Sequence, residues 1–365
     1  MNRPVGSWQA LAHGTSSLAE VSERDWHVSS EDRLWRAAVC QPEQNVVDVG
    51  RRDPLGDVGA RGTYGVKTAT KGMVLVPGGR FRMGSGDLYP EERSIHEVAV
   101  SDLWVDEHPV TNAQFRRFVK ATGHATVAEQ APDAADFPNA AAADLVPGSL
   151  VFVGSKGPIP LDDWTRWWAW VPGTNWRHPY GPGSTLDGRD LHPVVHVGYE
   201  DAAAYAVWIG KALPTESQWE YAARGGLDGA TYAWGAEFMP KGRIMANTWH
   251  GRFPWENLRP HGFDRTSPVK RFAPNGYGLY DVAGNVWEWT TTPWAADHTT
   301  TGDAPIHGCC TPRTENVGEQ DRRVIKGGSH LCAPSYCHRY RPAARQGHAV
   351  RSTTSHLGFR CVIPA

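Results

Sequence analysis

The sequence predicts an α+β fold in which much of the chain follows irregular structure within one compact domain. The 365 residues include 39 glycines and 27 prolines, which long helices and strands disfavour. Seventeen tryptophans, against only 21% charged residues, indicate that aromatic clusters hold the loops together. Helical periodicity occurs in a few short stretches and disappears between Thr231 and Ala365. These observations together favour short elements joined by long loops.

Residues 1–72 differ from the rest and are expected to form a disordered N-terminal extension. They are polar and mixed in charge, and "GRRDPLGDVGARGTYG" is typical of a flexible segment. Only residues 32–39 have the pattern of a short helix. Met73 begins "MVLVPGGRFRMGS", where two short strands flank a Pro-Gly-Gly turn. We therefore place the folded domain at residues 73–365.

The elements of this domain follow in order. "HEVAVSDLWVDEHPVT" alternates as a strand does, and Thr111 then caps a helix, "NAQFRRFVKATG", that ends at Gly123. Residues 129–163 are weakly patterned and are expected to run over the surface. "GYEDAAAYAVWIGKALPTESQWEYAARGG" predicts two helices separated at Pro214, and a capping box at Thr215 starts the second. "RVIKGG" and "LGFRCVI" are strand-like.

Charge and hydropathy exclude several classes of protein. A net charge of -2 provides no basic surface for neutralising nucleic-acid phosphates. The sequence has no run of about 18 apolar residues that could cross a membrane. Its N-terminus lacks the basic start and apolar core of a secretory signal. We expect a cytoplasmic monomer.

Cys332 and Cys337 lie five positions apart within "GGSHLCAPSYCHRYRPAAR". In a reducing compartment a close cysteine pair is more often metal-binding or catalytic than structural. A facultative disulfide and two inert buried thiols stay open as alternatives. A zinc site would need four ligands, typically from two such pairs, and the chain has one. Side chains that could complete a zinc site lie nearby in sequence: His330, His338, His356 and Cys361.

Several segments identify a resemblance. "MVLVPGGRFRMGS", "NWRHPYGP", "LPTESQWEYAARGG", "NGYGLYDVAGNVWEWT" and "GGSHLCAPSYCHRYRPAAR" occur in this order, followed by "SHLGFRC". Together they resemble the formylglycine-generating enzyme family, also called sulfatase-modifying factors, from residue 73 to the C-terminus. The resemblance implies a C-type-lectin-like formylglycine-generating-enzyme fold with little regular secondary structure.

The resemblance implies a specific reaction and a specific substrate segment for this chain. Formylglycine-generating enzymes oxidise the cysteine of a Cys-x-Pro-x-Arg segment in an unfolded sulfatase to Cα-formylglycine. They use O2 and Cu(I), and the resemblance implies that Cys332 and Cys337 hold the copper. Copper(I) is soft, prefers thiolates and accepts two-coordinate geometry, which leaves room for the thiol of the substrate.

The resemblance also assigns roles to four neighbours of the cysteines. Ser329 and Tyr336 offer hydroxyls that orient substrate or oxygen. Trp287, in "NVWEW", forms part of the wall of the oxygen pocket. Arg345 matches a family position near the groove that binds the substrate peptide.

Two calcium sites belong to the family pattern. The first matches the side chains of Asp281 and Glu288 with the carbonyls of Gly284 and Val286, a set of hard oxygen ligands. The second matches three residues: Asn247, Thr248 and Phe263. There the sequence departs from the family, because His261 stands where an Asp is usual and a neutral imidazole is a poor calcium ligand. Asp264 is the candidate to replace it.

Two other classes of function compete with the oxidase. One is a non-catalytic module that binds a peptide or glycan on the same lectin-like scaffold. The other is a mononuclear iron enzyme such as a sulfoxide synthase, which needs an added helical domain with an H-x3-H-x-E type motif. Residues 1–72 contain only His13 and His27, so they cannot supply that motif.

Overall fold

The computed structural model describes residues 70–133, 145–298 and 322–365. In this part of the chain the strands are short, and no helix is long and apolar enough to cross a membrane. The strands are β1 (Met73–Val76), β2 (Gly79–Met83), β3 (His96–Val100), β4 (Leu103–Asp106), β5 (Gly148–Phe152), β6 (Trp168–Pro172), β7 (Trp287–Pro293), β8 (Arg322–Lys326), β9 (Arg345–Ala349), β10 (Leu357–Gly358) and β11 (Val362–Pro364). The α-helices are α1 (Asn112–Thr122), α2 (Tyr199–Trp208) and α3 (Glu216–Arg224).

The strands form small sheets that join distant parts of the chain. β4 lies between β1 and β11, antiparallel to both, so the first and last described strands meet in one sheet. A second sheet has the order β10-β7-β8-β9, in which only the β10–β7 pair is parallel. Two hairpin ladders, β2–β3 and β5–β6, complete the described strands. The second sheet matters most for function, since the chain passes from β8 directly into the cysteine segment.

The local signals for the helices are confirmed. Thr111 and Thr215 each accept a hydrogen bond from the backbone N–H three residues on, completing the capping boxes of α1 and α3. Gly123 ends α1 in the left-handed region, with φ 70°, where glycine is favoured. α2 ends before Pro214, as the sequence predicts. These ends depend on contacts within a few residues, which explains why sequence alone locates them.

Two predictions about strands are wrong. The single alternating strand is broken into β3, which pairs with β2, and β4, which pairs with β1, and between them the Asp102 carboxylate accepts the Gly78 N–H at 2.6 Å. The predicted surface excursion over residues 129–163 contains β5, whose Phe152 is buried. Residues 134–144 of that excursion, and the predicted short helix at residues 32–39, lie outside the described residues.

Aromatic side chains build the core, as the tryptophan content predicts. One cluster joins α1 and α2 to β7, and Cys332 belongs to it. Its aromatic members include Phe115, Trp176, Tyr205, Trp287, Trp289 and Phe359. A smaller cluster joins Phe152, Trp167, Trp249 and Phe253 to Leu331 and Ala333, on either side of the same cysteine. The cysteine segment is therefore anchored between two aromatic clusters.

Candidate active site

The cysteine segment begins with a turn that only glycines form readily. Gly327 and Gly328 follow β8 with φ of 92° and 67°, in the left-handed region. A Cβ on Gly328 would lie 2.7 Å from the carbonyl oxygen of Arg339. The two ends of the segment therefore touch at Gly328, and the residues between them form a closed loop.

The loop brings the sulfurs of Cys332 and Cys337 together. Their Sγ atoms lie 3.1 Å apart, which is longer than a disulfide bond, and both cysteines are free thiols. Successive turns present the two side chains to the same side: the Cys332 N–H donates to the Ser329 carbonyl, and the Cys337 N–H donates to the Ala333 carbonyl. Cys332 is buried, whereas Cys337 is only half-buried. An approaching group would therefore meet Cys337 first.

The two thiols have unequal acidity. Burial raises the pKa of Cys332. The hydrogen bond from Cys332 lowers the pKa of Cys337, and the nearby Arg339 guanidinium lowers it further. The Ser329 N–H donates to the Cys332 sulfur at 3.3 Å. The pair thus favours a thiolate on Cys337 that accepts a hydrogen bond from Cys332.

Three of the predicted neighbours surround this pair. Trp287 is buried in the aromatic cluster that contains Cys332. Tyr336 is 39% exposed, its ring stacks on Phe253 at 4.4 Å, and burial raises its pKa to about 12, so its hydroxyl stays neutral. The Ser329 hydroxyl is buried and accepts the Leu331 N–H at 3.2 Å. Ser329 contacts the cysteines through its backbone.

Arg345 has a different environment from the one the resemblance implies. Its side chain is 0% exposed. Nε and one terminal nitrogen donate to the Glu216 carboxylate at 2.7 and 3.0 Å, and the other terminal nitrogen donates to the Ala295 carbonyl at 2.7 Å. A peptide-binding role needs an accessible guanidinium, and here the guanidinium is buried in an ion pair.

Other residues beside the cysteines were not predicted from the sequence. Arg339 lies over the ring of Tyr89 at 3.9 Å and forms an ion pair with Glu91 at 2.5 Å. Tyr340 is fully buried in the same aromatic cluster as Cys332. Arg339 follows Cys337 by two positions, and this short spacing could have indicated from the sequence that the two residues lie close together. Nothing in the sequence links the distant Tyr89 and Glu91 to it.

Within the part of the chain that the structure describes, no four-ligand zinc site surrounds the pair. No group of three or more His, Cys, Asp or Glu side chains that could hold a metal occurs within residues 70–133, 145–298 and 322–365. His338 is engaged with the Tyr232 hydroxyl at 2.8 Å, and the His330 Nδ1 with the Asn285 carbonyl at 2.8 Å. The site offers two soft sulfur donors, which fits a two-coordinate soft cation better than zinc.

Comparison with known proteins identifies the family. Residues 63–365 match the sulfatase-modifying factor enzyme 1-like domain. The formylglycine-generating enzyme of Mycobacterium tuberculosis is 55% identical over 292 residues, which cover 80% of this chain and 97% of that protein. The chain belongs to the formylglycine-generating enzyme family.

Further comparisons agree with this assignment. The formylglycine-generating enzyme of Thermomonospora curvata is 48% identical over 296 residues, 80% of this chain and 93% of that protein. The structure of PvdO from Pseudomonas aeruginosa covers 80% of this chain and 94% of its own, with a TM-score of 0.55 at 23% identity, which shows a shared fold. The predicted family and fold class are confirmed.

The first calcium site predicted for a formylglycine-generating enzyme contains two buried carboxylates. Asp281 is buried, with φ 53°, and burial raises its pKa to about 6. The fully buried Glu288 accepts hydrogen bonds from Arg360 at 2.6 and 2.8 Å and from Trp219 at 2.7 Å. The Asp281 carboxylate accepts the Lys270 N–H at 2.8 Å, and Arg360 donates to the Asp281 backbone carbonyl at 3.2 Å. The two buried carboxylates supply hard oxygens of the kind that calcium prefers.

The second calcium site does not have a suitable donor set. The Asn247 Oδ1 is buried and has no hydrogen-bond donor in the described structure. The Thr248 carbonyl, however, accepts a hydrogen bond from His261 Nε2 at 3.2 Å, while the Phe263 N–H donates to His261 Nδ1. Asp264 cannot replace the missing carboxylate, since it is exposed and faces Arg259. A neutral imidazole lies against the carbonyl that the ion would need.

Proposed function

We propose that this chain is an enzyme that matures sulfatases by converting a cysteine of the sulfatase to Cα-formylglycine. The family assignment supports this activity. The observation that carries it is the pair of free thiols, Cys332 and Cys337, with sulfurs 3.1 Å apart and one of them half-exposed. Such a pair can bind a soft metal ion on one side while a thiol approaches from the other.

Copper(I) is the cofactor we propose, because the two sulfurs are its preferred donors and no further metal ligand surrounds them in the described residues. When bound, copper would activate O2 for removal of a hydrogen from the substrate Cβ. The chain's own groups position the reaction. The Ser329 N–H holds the Cys332 sulfur, the exposed side of Cys337 faces the incoming thiol, and the neutral Tyr336 hydroxyl lies at the rim.

The substrate we propose is an unfolded polypeptide with a Cys-x-Pro-x-Arg segment. Conversion of the thiol to the aldehyde removes its sulfur as hydrogen sulfide and takes one oxygen atom from O2. The second oxygen atom leaves as water, so the balance requires two electrons and two protons from a reducing thiol. The free thiols Cys332, Cys337 and Cys361 fit a reducing compartment, and we extend the proposal to a cytoplasmic monomer.

A peptide assay tests this function directly. The purified chain is mixed with a Cys-x-Pro-x-Arg peptide, O2 and a thiol reductant, with and without added copper(I), and the peptide is analysed by mass spectrometry. We expect copper-dependent exchange of sulfur and two hydrogens for one oxygen, and capture of the aldehyde by a hydroxylamine probe. The matched Ser-x-Pro-x-Arg peptide should stay unchanged. Peptide binding without a mass change would instead support the non-catalytic binding module.

Calcium stoichiometry tests the two predicted calcium sites separately. We propose that Asp281 and Glu288, with the Gly284 and Val286 carbonyls, bind one calcium ion and that the Asn247 site binds none. Calorimetric titration of the calcium-free chain should therefore give one ion per chain. Calcium at 100 times its Kd should stabilise the fold by about 2.7 kcal/mol, measured as a rise in Tm.

Two variants complete the calcium experiment. Asp281→Asn removes one of the two buried carboxylate charges and should weaken the single site. His261→Asp restores a carboxylate beside the Thr248 carbonyl and should raise the stoichiometry to two. Two ions bound by the unmodified chain would contradict the assignment of His261 as a residue that blocks the site.

A further inference from the structure

The two cysteines of the loop are held in place by different parts of the molecule. The buried Cys332 is tied to a neighbouring segment by the main chain, because its carbonyl accepts the Trp249 N–H at 3.0 Å. The half-buried Cys337 closes a turn onto Ala333, and the chain that follows it, residues 338–341, belongs to no strand or helix. Backbone groups outside regular structure need other partners, often side chains. The partners of residues 338–341 therefore help to decide where the Cys337 sulfur lies.

The peptide groups of His338, the residue directly after Cys337, are held by side chains. The His338 N–H donates to the Tyr89 hydroxyl at 2.9 Å, and the His338 carbonyl accepts from Arg341 Nε at 2.7 Å. Arg341 is itself fixed, since a terminal nitrogen donates to the Glu92 carboxylate at 2.6 Å in a buried ion pair. Tyr89 directly, and Glu92 through Arg341, thus hold both backbone polar groups next to Cys337.

Tyr89 comes from a closed loop whose base is fixed on a helix. The Ser85 N–H donates to the Glu92 carbonyl at 2.8 Å, so the two ends of residues 85–92 meet. Just before this loop, both backbone polar groups of Gly84 bind buried side chains of α3. The Tyr89 hydroxyl is therefore presented from an anchored loop, to a residue 249 positions away in the sequence.

We propose that Tyr89 is a positioning residue of the cysteine site. Its hydroxyl fixes the His338 peptide and thereby keeps the Cys337 sulfur beside that of Cys332, in the arrangement that holds copper(I). Tyr89 acts through the backbone that follows Cys337 and is not a ligand. This inference rests on the proposed copper site and adds a residue that the family resemblance did not assign. Replacing groups that orient metal ligands typically changes metal affinity by about 10–100-fold.

Tyr89→Phe tests the proposal without using activity, because it removes the hydroxyl and keeps the ring that packs against Arg339. The full chain and this variant compete for copper(I) with a chromophoric copper(I) chelator, under anaerobic conditions and without substrate. We expect Tyr89→Phe to bind copper(I) about 10-fold more weakly. In the metal-free chain, hydrogen exchange of the His338 amide should be faster in the variant, since that amide loses its acceptor.

Tyr221→Phe is the matched control. The Tyr221 hydroxyl also bonds to a backbone group at 2.9 Å, the Pro77 carbonyl, but Tyr221 lies in a core cluster that contains neither cysteine of the pair. We expect this variant to bind copper(I) as the unmodified chain does and to leave exchange of the His338 amide unchanged. Tm should change by a similar small amount in both variants, so that stability alone cannot explain a difference in copper affinity.

The outcomes separate this inference from the function beneath it. An unmodified chain that binds no copper(I) would overturn the proposed copper site, and the role of Tyr89 toward it would fall as well. Equal copper(I) affinity in the unmodified chain and Tyr89→Phe would overturn the role of Tyr89 alone, as would unchanged exchange of the His338 amide. An equal loss of affinity in Tyr89→Phe and Tyr221→Phe would mark a general effect of stability and would also overturn it.

Discussion

Replacing Cys332 or Cys337 with serine is expected to abolish both formylglycine formation and copper(I) binding while leaving the fold intact. The sulfurs lie 3.1 Å apart and are the two soft donors of the site. A serine hydroxyl is a hard oxygen donor, and copper(I) binds such donors poorly. Mass spectrometry of the peptide product, chelator competition for copper(I) and Tm measure the three properties separately.

Cys361→Ser is the matched control for these variants. Cys361 is also a buried free thiol of the same aromatic cluster, and its backbone N–H donates to the Asp106 carboxylate at 3.0 Å. We expect this variant to keep its activity and its copper, so that any loss in the other two reports on the site. Turnover at the unmodified rate in either Cys332→Ser or Cys337→Ser would refute the proposed mechanism.

Arg345→Gln is expected to destabilise the fold by about 3–5 kcal/mol, because it breaks a fully buried ion pair. Arg345 supplies Glu216 with two hydrogen bonds, and the remaining cation, Lys326, lies 3.5 Å from that carboxylate and also serves Glu220. Although burial opposes it, Lys326 holds the pKa of Glu220 at about 2, so Glu220 is charged at neutral pH. Chemical denaturation measures the change in the free energy of unfolding.

Two further variants make the Arg345 result specific. Arg351→Gln removes an exposed arginine that pairs with Glu200, and its expected cost is below about 1 kcal/mol. The double variant Arg345→Met with Glu216→Leu removes both buried charges and should recover part of the lost stability. If Arg345→Gln left the stability unchanged and raised the KM for the peptide, Arg345 would instead have the substrate-binding role that the resemblance implies.

Features set by neighbours in sequence could be predicted well. The capping boxes at Thr111 and Thr215 and the glycine that ends α1 depend on bonds spanning a few residues, so their residue types suffice. The cysteine loop is also set by residues close together in the sequence. Gly328 and the five-residue spacing of Cys332 and Cys337 all lie within this one loop. The departure at His261 was also visible as a single unusual residue.

Features set by distant partners could not be predicted. Arg339 and Arg345 lie in one segment and look alike in sequence. Their environments differ because one meets Glu91 and Tyr89 while the other meets Glu216. The break between β3 and β4 likewise separates two strands that pair with different partners, β2 and β1, and residue patterns do not reveal those partners.

Residues close together in the sequence were thus enough to predict the family, the ends of the helices and the pair of cysteines. The folded structure was needed to show that Arg339 pairs with Glu91, that Arg345 is buried against Glu216, and that the His261 imidazole donates to the Thr248 carbonyl. The two arginines depend on partners that lie more than a hundred residues away in the sequence, whereas the His261 contact depends on the path of its own loop. Such contacts exist only once the chain has folded.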